Sequence, residues 1–135
     1  MMGPSEVVRN YWGMESKRDL AGVLGCYMSD AELVVPELGK LVGHAEIQGF
    51  YEASFARFPW LQVQIVSEVV QGQAGAFEWE SVFEDRAGER FPLRGVNVVE
   101  VEGDQLAVVH VYYDPSSLAG GRGEEAWADA GGTGG

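Results

Sequence analysis

The chain has 135 residues, 46% hydrophobic and 22% charged, which suits one folded domain and leaves no room for wholesale disorder. Nine Lys and Arg stand against 21 Asp and Glu, a formal net charge of −12 that argues against nucleic acid and an anionic membrane surface as partners. No apolar run approaches the roughly 20 residues needed to span a bilayer, and MMGPSEVVRN lacks a basic stretch followed by an apolar one, so no secretory leader is expected.

The first half reads helical. Ser5 after Pro4 is a candidate N-cap, and Val7, Val8, Tyr11 and Trp12 form a stripe at i, i+1, i+4, i+5. Asp19 is a second cap, followed by Leu20, Val23, Leu24 and Tyr27 on one face. Cys26, the only cysteine, lies in this pattern. It reads as a buried structural thiol, and the absence of any possible intramolecular disulfide points to the cytoplasm. A short extended piece, Glu32 to Val35, ends at Pro36. Gly43 and His44 open a third helix with Ile47, Phe50, Tyr51, Ser54, Phe55 and Phe58 on one face, stopped by Pro59.

The second half switches to period two. Leu61, Val63 and Ile65 alternate with glutamines, and Ala76 to Phe83 alternates Phe77, Trp79, Ser81 and Phe83 against Glu78 and Glu80. Phe91 to Val101 and Leu106 to Tyr113 complete a four-strand antiparallel meander. Three helices on one face of such a sheet give an α+β domain. Both faces of the last two strands are apolar, so the outer face is expected to pack against a second copy of the chain. Residues 1–118 read as the domain and 119–135 as a flexible Gly-rich tail, which holds Trp127.

The runs VVRNYWGMESKRDLAGVLGCYMSDAELVVPELGK, VGHAEIQGFY and FPLRGVNVVEVEGDQLAVVHVYYDP together resemble the NTF2-like superfamily, and within it the SnoaL-like polyketide cyclases and ketosteroid isomerases. The resemblance spans Val7 to about Pro115. It implies a cone-shaped α+β barrel of the NTF2-like, cystatin-like kind, a curved antiparallel sheet around the three N-terminal helices and a deep apolar pocket, and it implies frequent homodimers. Fold alone does not settle function.

The resemblance places the isomerases' hydrogen-bonding Tyr on Tyr11, their protonated Asp on Asn97 and their basic Asp on Val35, so two donor types survive and the base is lost. Tyr11 and Asn97 could both donate to a substrate oxygen, and neither needs an altered pKa to do so. The Asp–Arg–Asp set of related epoxide hydrolases falls on Glu80, Glu78 and Val111; an acid stands where the Arg should be, which disfavours that chemistry. Glu78 and Glu80 share one strand face. Alternation alone leaves open whether they or the aromatics point inward; the resemblance implies the glutamates, and two buried carboxylates would then share a proton and act as acid and base. Trp12, Tyr27, Val35, His44, Tyr51, Phe55, Val111 and Tyr113 are the candidate substrate-binding residues. One Cys and two distant His give no zinc spacing, and no phosphate loop occurs, so neither metal nor cofactor is expected. The expectation is a cofactor-free isomerase or cyclase acting on a hydrophobic carbonyl compound, with a non-catalytic binding or dimerising module and an epoxide-opening enzyme as alternatives.

Overall fold

A computed structural model describes residues 2–121. Helix α1 (Pro4–Ser16) opens on proline, whose φ is already helical. Gly3 rather than Ser5 is its cap, and the Gly3 N–H donates to Glu6 Oε1 at 3.0 Å. The short α2 (Leu20–Gly25) is capped by Asp19, whose carboxylate accepts from the Gly22 N–H at 2.9 Å. Strand β1 (Tyr27–Val35), strand β2 (Gly39–Val42), helix α3 (Gly43–Arg57) and the long strands β3 (Trp60–Gln71), β4 (Ala74–Glu84), β5 (Arg90–Glu102) and β6 (Gln105–Tyr113) follow. A 3-10 turn, Pro115–Gly121, closes the described part; residues 122–135, with Trp127, lie outside it.

The strands form one curved, unclosed sheet in the order β2-β1-β6-β5-β4-β3. Every neighbouring pair is antiparallel except β1 and β6, which run parallel with Leu33 opposite Val109. The fully antiparallel sheet expected from the meander is corrected at that pair. Two further departures have local causes. Tyr27 begins β1 rather than ending α2, because α2 carries Gly22 and Gly25 and stops there. The four-residue β2 has an exposed, non-alternating pattern that gives no period-two signal.

The concave face carries Leu33, Val35, Phe77, Trp79, Phe91, Val99 and Val109, and packs on Val7, Val8, Tyr11 and Trp12 of α1 and Ile47 and Tyr51 of α3. A bulge at Ile65–Ser67 reverses which side chains of β3 face inward. Glu68 thereby turns toward α1 and takes a two-pronged bond from Arg9, at 2.6 and 3.2 Å. Among the described residues no helix is long and apolar enough to cross a membrane, and no group of three or more His, Cys, Asp or Glu is placed to hold a metal ion.

Candidate functional site

Between the helices and the concave sheet lies a chamber of about 70 Å³. Helix α1 supplies Tyr11, Trp12 and Glu15, and α3 supplies Phe50 and Tyr51. The sheet supplies Leu33, Val35, Val63, Trp79, Ser81, Asn97, Val111 and Tyr113.

The centre of the site is Glu15. The apolar stripe of α1 continues at the same spacing from Trp12 to Glu15, so packing the stripe on the sheet carries a carboxylate inside, where it is 7% exposed. Its Oε2 accepts from the Tyr11 hydroxyl one turn earlier. The Tyr11 oxygen lies 2.6 Å from that of Tyr51, which lies 2.7 Å from that of Tyr27. Each hydroxyl carries one hydrogen. With Glu15 ionised the row therefore runs one way: Tyr27 donates to Tyr51, Tyr51 to Tyr11 and Tyr11 to Glu15. Protonating Glu15 permits the reverse order, so a charge change at the carboxyl is accommodated by rotating hydrogens alone.

Burial pushes the Glu15 carboxyl above the ordinary glutamate range, while the Tyr11 hydroxyl and the Arg18 charge draw it back down. Burial, reinforced by the Glu15 charge, raises Tyr11 far above an ordinary phenol. Tyr51 and Tyr27 are likewise raised, chiefly by burial. The tyrosines stay neutral and Glu15 is the member of the row that titrates first.

Asn97, 5% exposed, interrupts the apolar strand β5. Its Oδ1 accepts from the Trp79 indole N–H at 2.9 Å. An indole N–H can only donate, which fixes the amide orientation and leaves Nδ2, without a partner among the described residues, as the donor on offer at the chamber wall. Asn97→Ala is expected to destabilise the protein by about 1–3 kcal/mol because it orphans the buried indole N–H. Urea midpoints at pH 7 check this, and in a Trp79→Phe background, where no indole N–H is left to orphan, the same substitution should cost less.

The chamber thus brings together Tyr11, Trp12, Val35, Tyr51, Asn97, Val111 and Tyr113. Three expectations fall short of it. Tyr27 sits one hydroxyl deeper than the lining, His44 Nε2 lies 2.9 Å from the Tyr27 carbonyl oxygen at the start of α3, and Phe55 packs under the Arg18 guanidinium. The Tyr113 hydroxyl donates away from the chamber, to Glu37 in the β1–β2 turn. The Tyr11 hydroxyl donates to Glu15 Oε2.

The inward glutamate pair is overturned. Glu78 and Glu80 are exposed on the outer face, because Phe77, Trp79 and Ser81 take the inner one. Burying an indole and a phenyl ring is favourable, whereas burying two carboxylates without partners is not. The acid that does face the chamber, Glu15, was visible as the next position of the α1 stripe. Trp79 and Ser81 followed from the opposite choice of face on β4.

A SnoaL-like domain model matches residues 8–109. No curated protein matches the chain at a significant level. Among solved structures, it is similar to a hypothetical protein with a ketosteroid isomerase-like fold from Catenulispora acidiphila, in complex with trimethylamine (TM-score 0.76, 17% identity, 87% of this chain and 91% of that one). It is similar to TerC co-crystallised with polyporic acid (0.74, 18%, 84% and 93%). It is also similar to an LEH-like epoxide hydrolase of M. tuberculosis (0.74, 17%, 90% and 91%). At these identities the likeness shows the fold.

Proposed function

The chain belongs to the SnoaL-like domain family, and on that footing we propose that it is a cofactor-independent enzyme that isomerises or cyclises a small apolar carbonyl compound by acid–base chemistry. Ionised Glu15 removes a proton beside the carbonyl, the Asn97 Nδ2 group holds the oxygen as negative charge develops, and Glu15 returns the proton at another carbon. The observation that carries this reading is a buried carboxylate lining an apolar chamber and backed by a row of neutral hydroxyls. It supplies the base that the substitution of Val35 had removed from the expected position.

A chamber of about 70 Å³ is smaller than the roughly 150 Å³ that accepts benzene. Beyond Trp12 and Val63, which line both spaces, lies a cleft of about 320 Å³ between α1 and β3. A substrate of ordinary size, which needs roughly 300–1,000 Å³, would have to extend past Trp12 into this cleft. The test is proton exchange. A series of small cyclic enolisable ketones is incubated with the protein in D2O, and loss of the α-proton signal is followed by NMR. Exchange faster than in buffer and than with denatured protein is expected. Ketone binding without faster exchange across the series would overturn the enzymatic reading in favour of a binding module, the alternative that valine at 35 and 111 supports.

We further propose a homodimer through the outer sheet face. The cross-strand row Val69, Ala76, Val98, His110 runs across β3 to β6 on that face, and Val69 and Val98 are exposed, as is Tyr112 nearby. A twofold axis over this row would bury the same patch on both copies. Sedimentation velocity is expected to give a dimer that Val98→Lys converts to a monomer; a wild-type monomer at micromolar concentration would remove the proposal.

A further inference from the structure

Helix α1 ends in a Schellman turn. The Asp19 N–H bonds the Met14 carbonyl at 3.0 Å and the Arg18 N–H bonds the Glu15 carbonyl at 2.9 Å. Residue 18 sits at φ 58°, the left-handed position where glycine is favoured and a side chain is strained. Its side chain nevertheless turns inward. Nε donates to the Phe58 carbonyl at 2.9 Å, Nη1 to the Glu15 carbonyl at 3.2 Å, and the guanidinium lies 4.5 Å over the Phe55 ring. Nη2 is buried with no partner among the described residues.

A strained backbone, a desolvated cation and an orphaned N–H therefore meet in one residue, at a position glycine would fill without strain. What the arginine contributes and glycine could not is a positive charge beside the buried carboxylate: Nη1 stands 3.8 Å from Glu15 Oε1. That separation is an ion pair and not a hydrogen bond. The charge favours the carboxylate while Oε1 stays free to take a proton. The other titratable groups facing Glu15 are Tyr11 on α1, Tyr51 on α3 and Tyr27 on β1, all neutral, with Tyr113 of β6 farther off. Among the described residues Arg18 is the one cation acting on it.

We propose that Arg18 is a positioning residue that keeps Glu15 ionised in its buried setting, so that the carboxylate waits as a base. This rests on the reading of Glu15 as the acid–base group, and its test needs no substrate. Protein labelled with 13C at the glutamate carboxyl is titrated by NMR, with the Glu15 signal assigned by its loss in Glu15→Gln. Arg18→Gly, whose backbone suits the turn, is expected to move the Glu15 midpoint upward by about one pH unit or more. Arg18→Gln, which keeps much of the stem, should show the same rise if the glycine variant folds poorly. Arg18→Lys should leave the midpoint close to wild type. An unmoved midpoint in a folded Arg18→Gly or Arg18→Gln protein overturns the proposal. If the midpoint moves but Glu15→Gln leaves ketone exchange untouched, the acid–base reading fails and the role of Arg18 stands; if the midpoint is unmoved and Glu15→Gln abolishes exchange, the converse holds.

Discussion

Glu15→Gln should slow ketone α-proton exchange by about 10²–10⁴-fold, the ordinary contribution of a positioned general base, while the protein stays folded and becomes more stable at pH 7. The two effects separate because Gln keeps what the fold uses and removes what the chemistry uses. Its side-chain oxygen still accepts from Tyr11, so the hydroxyl row keeps its terminal acceptor. It cannot take a proton at neutral pH. The stability sign follows from burial, which raises the Glu15 carboxyl above its unfolded value. A group raised in this way stabilises the fold fully only below its unfolded pKa and loses that contribution as pH rises through the folded one. Burial disfavours the charged form of Glu15, and the neutral amide removes that form. The gain should therefore shrink as pH falls through the carboxylate range. Parallel thermal melts at pH 7 and pH 4 check this, and wild-type exchange rates in Glu15→Gln would remove Glu15 from the mechanism.

Gly95→Ala is expected to lower the melting temperature by about 5–10 °C, the shift that an overpacking cost of about 1–3 kcal/mol gives in a domain of this size. Gly95 lies in β5 between Trp79 of β4 and Tyr113 of β6. An added Cβ would stand 2.4 Å from the Tyr112 carbonyl oxygen and 2.5 Å from Trp79 Cζ2. The carbonyl belongs to the β5–β6 ladder and cannot withdraw without breaking register. The indole can move only by releasing Asn97 Oδ1, which it holds at 2.9 Å. The same substitution should therefore also weaken ketone exchange. Gly49→Ala is the matched control. It lies on the exposed side of α3 with nothing within 4 Å, and should gain about 0.5–1 kcal/mol from helix propensity. Equal melting temperatures for Gly95→Ala and wild type would show that the strands tolerate the crowding.

Much of the fold was legible along the chain. The 3.6-residue stripes of α1 and α3, the Asp19 cap and the period-two runs of β3 to β6 are local signals, each written within one element. So was the interruption at Asn97, which an apolar strand would not carry without a partner. The parallel pairing of β1 with β6 was not legible, since it joins segments roughly 75 residues apart that no local pattern links.

The candidate site divides along the same line. The sequence by itself determined that β4 has one aromatic and one acidic face, and that the α1 stripe ends on an acid. Only the tertiary structure decided which face of β4 turned inward, because alternation is symmetric until a second layer arrives; helices α1 and α3 offered apolar surface, and the aromatics met it. Likewise Glu15 acquires its chemistry from Tyr51, which lies on another helix, and Tyr27, which lies on a strand, and from an arginine bent into the core against its backbone preference. A carboxylate's ordinary state in water is charged; here burial lifts its pKa and the Arg18 cation opposes that rise, and both effects come from the tertiary fold.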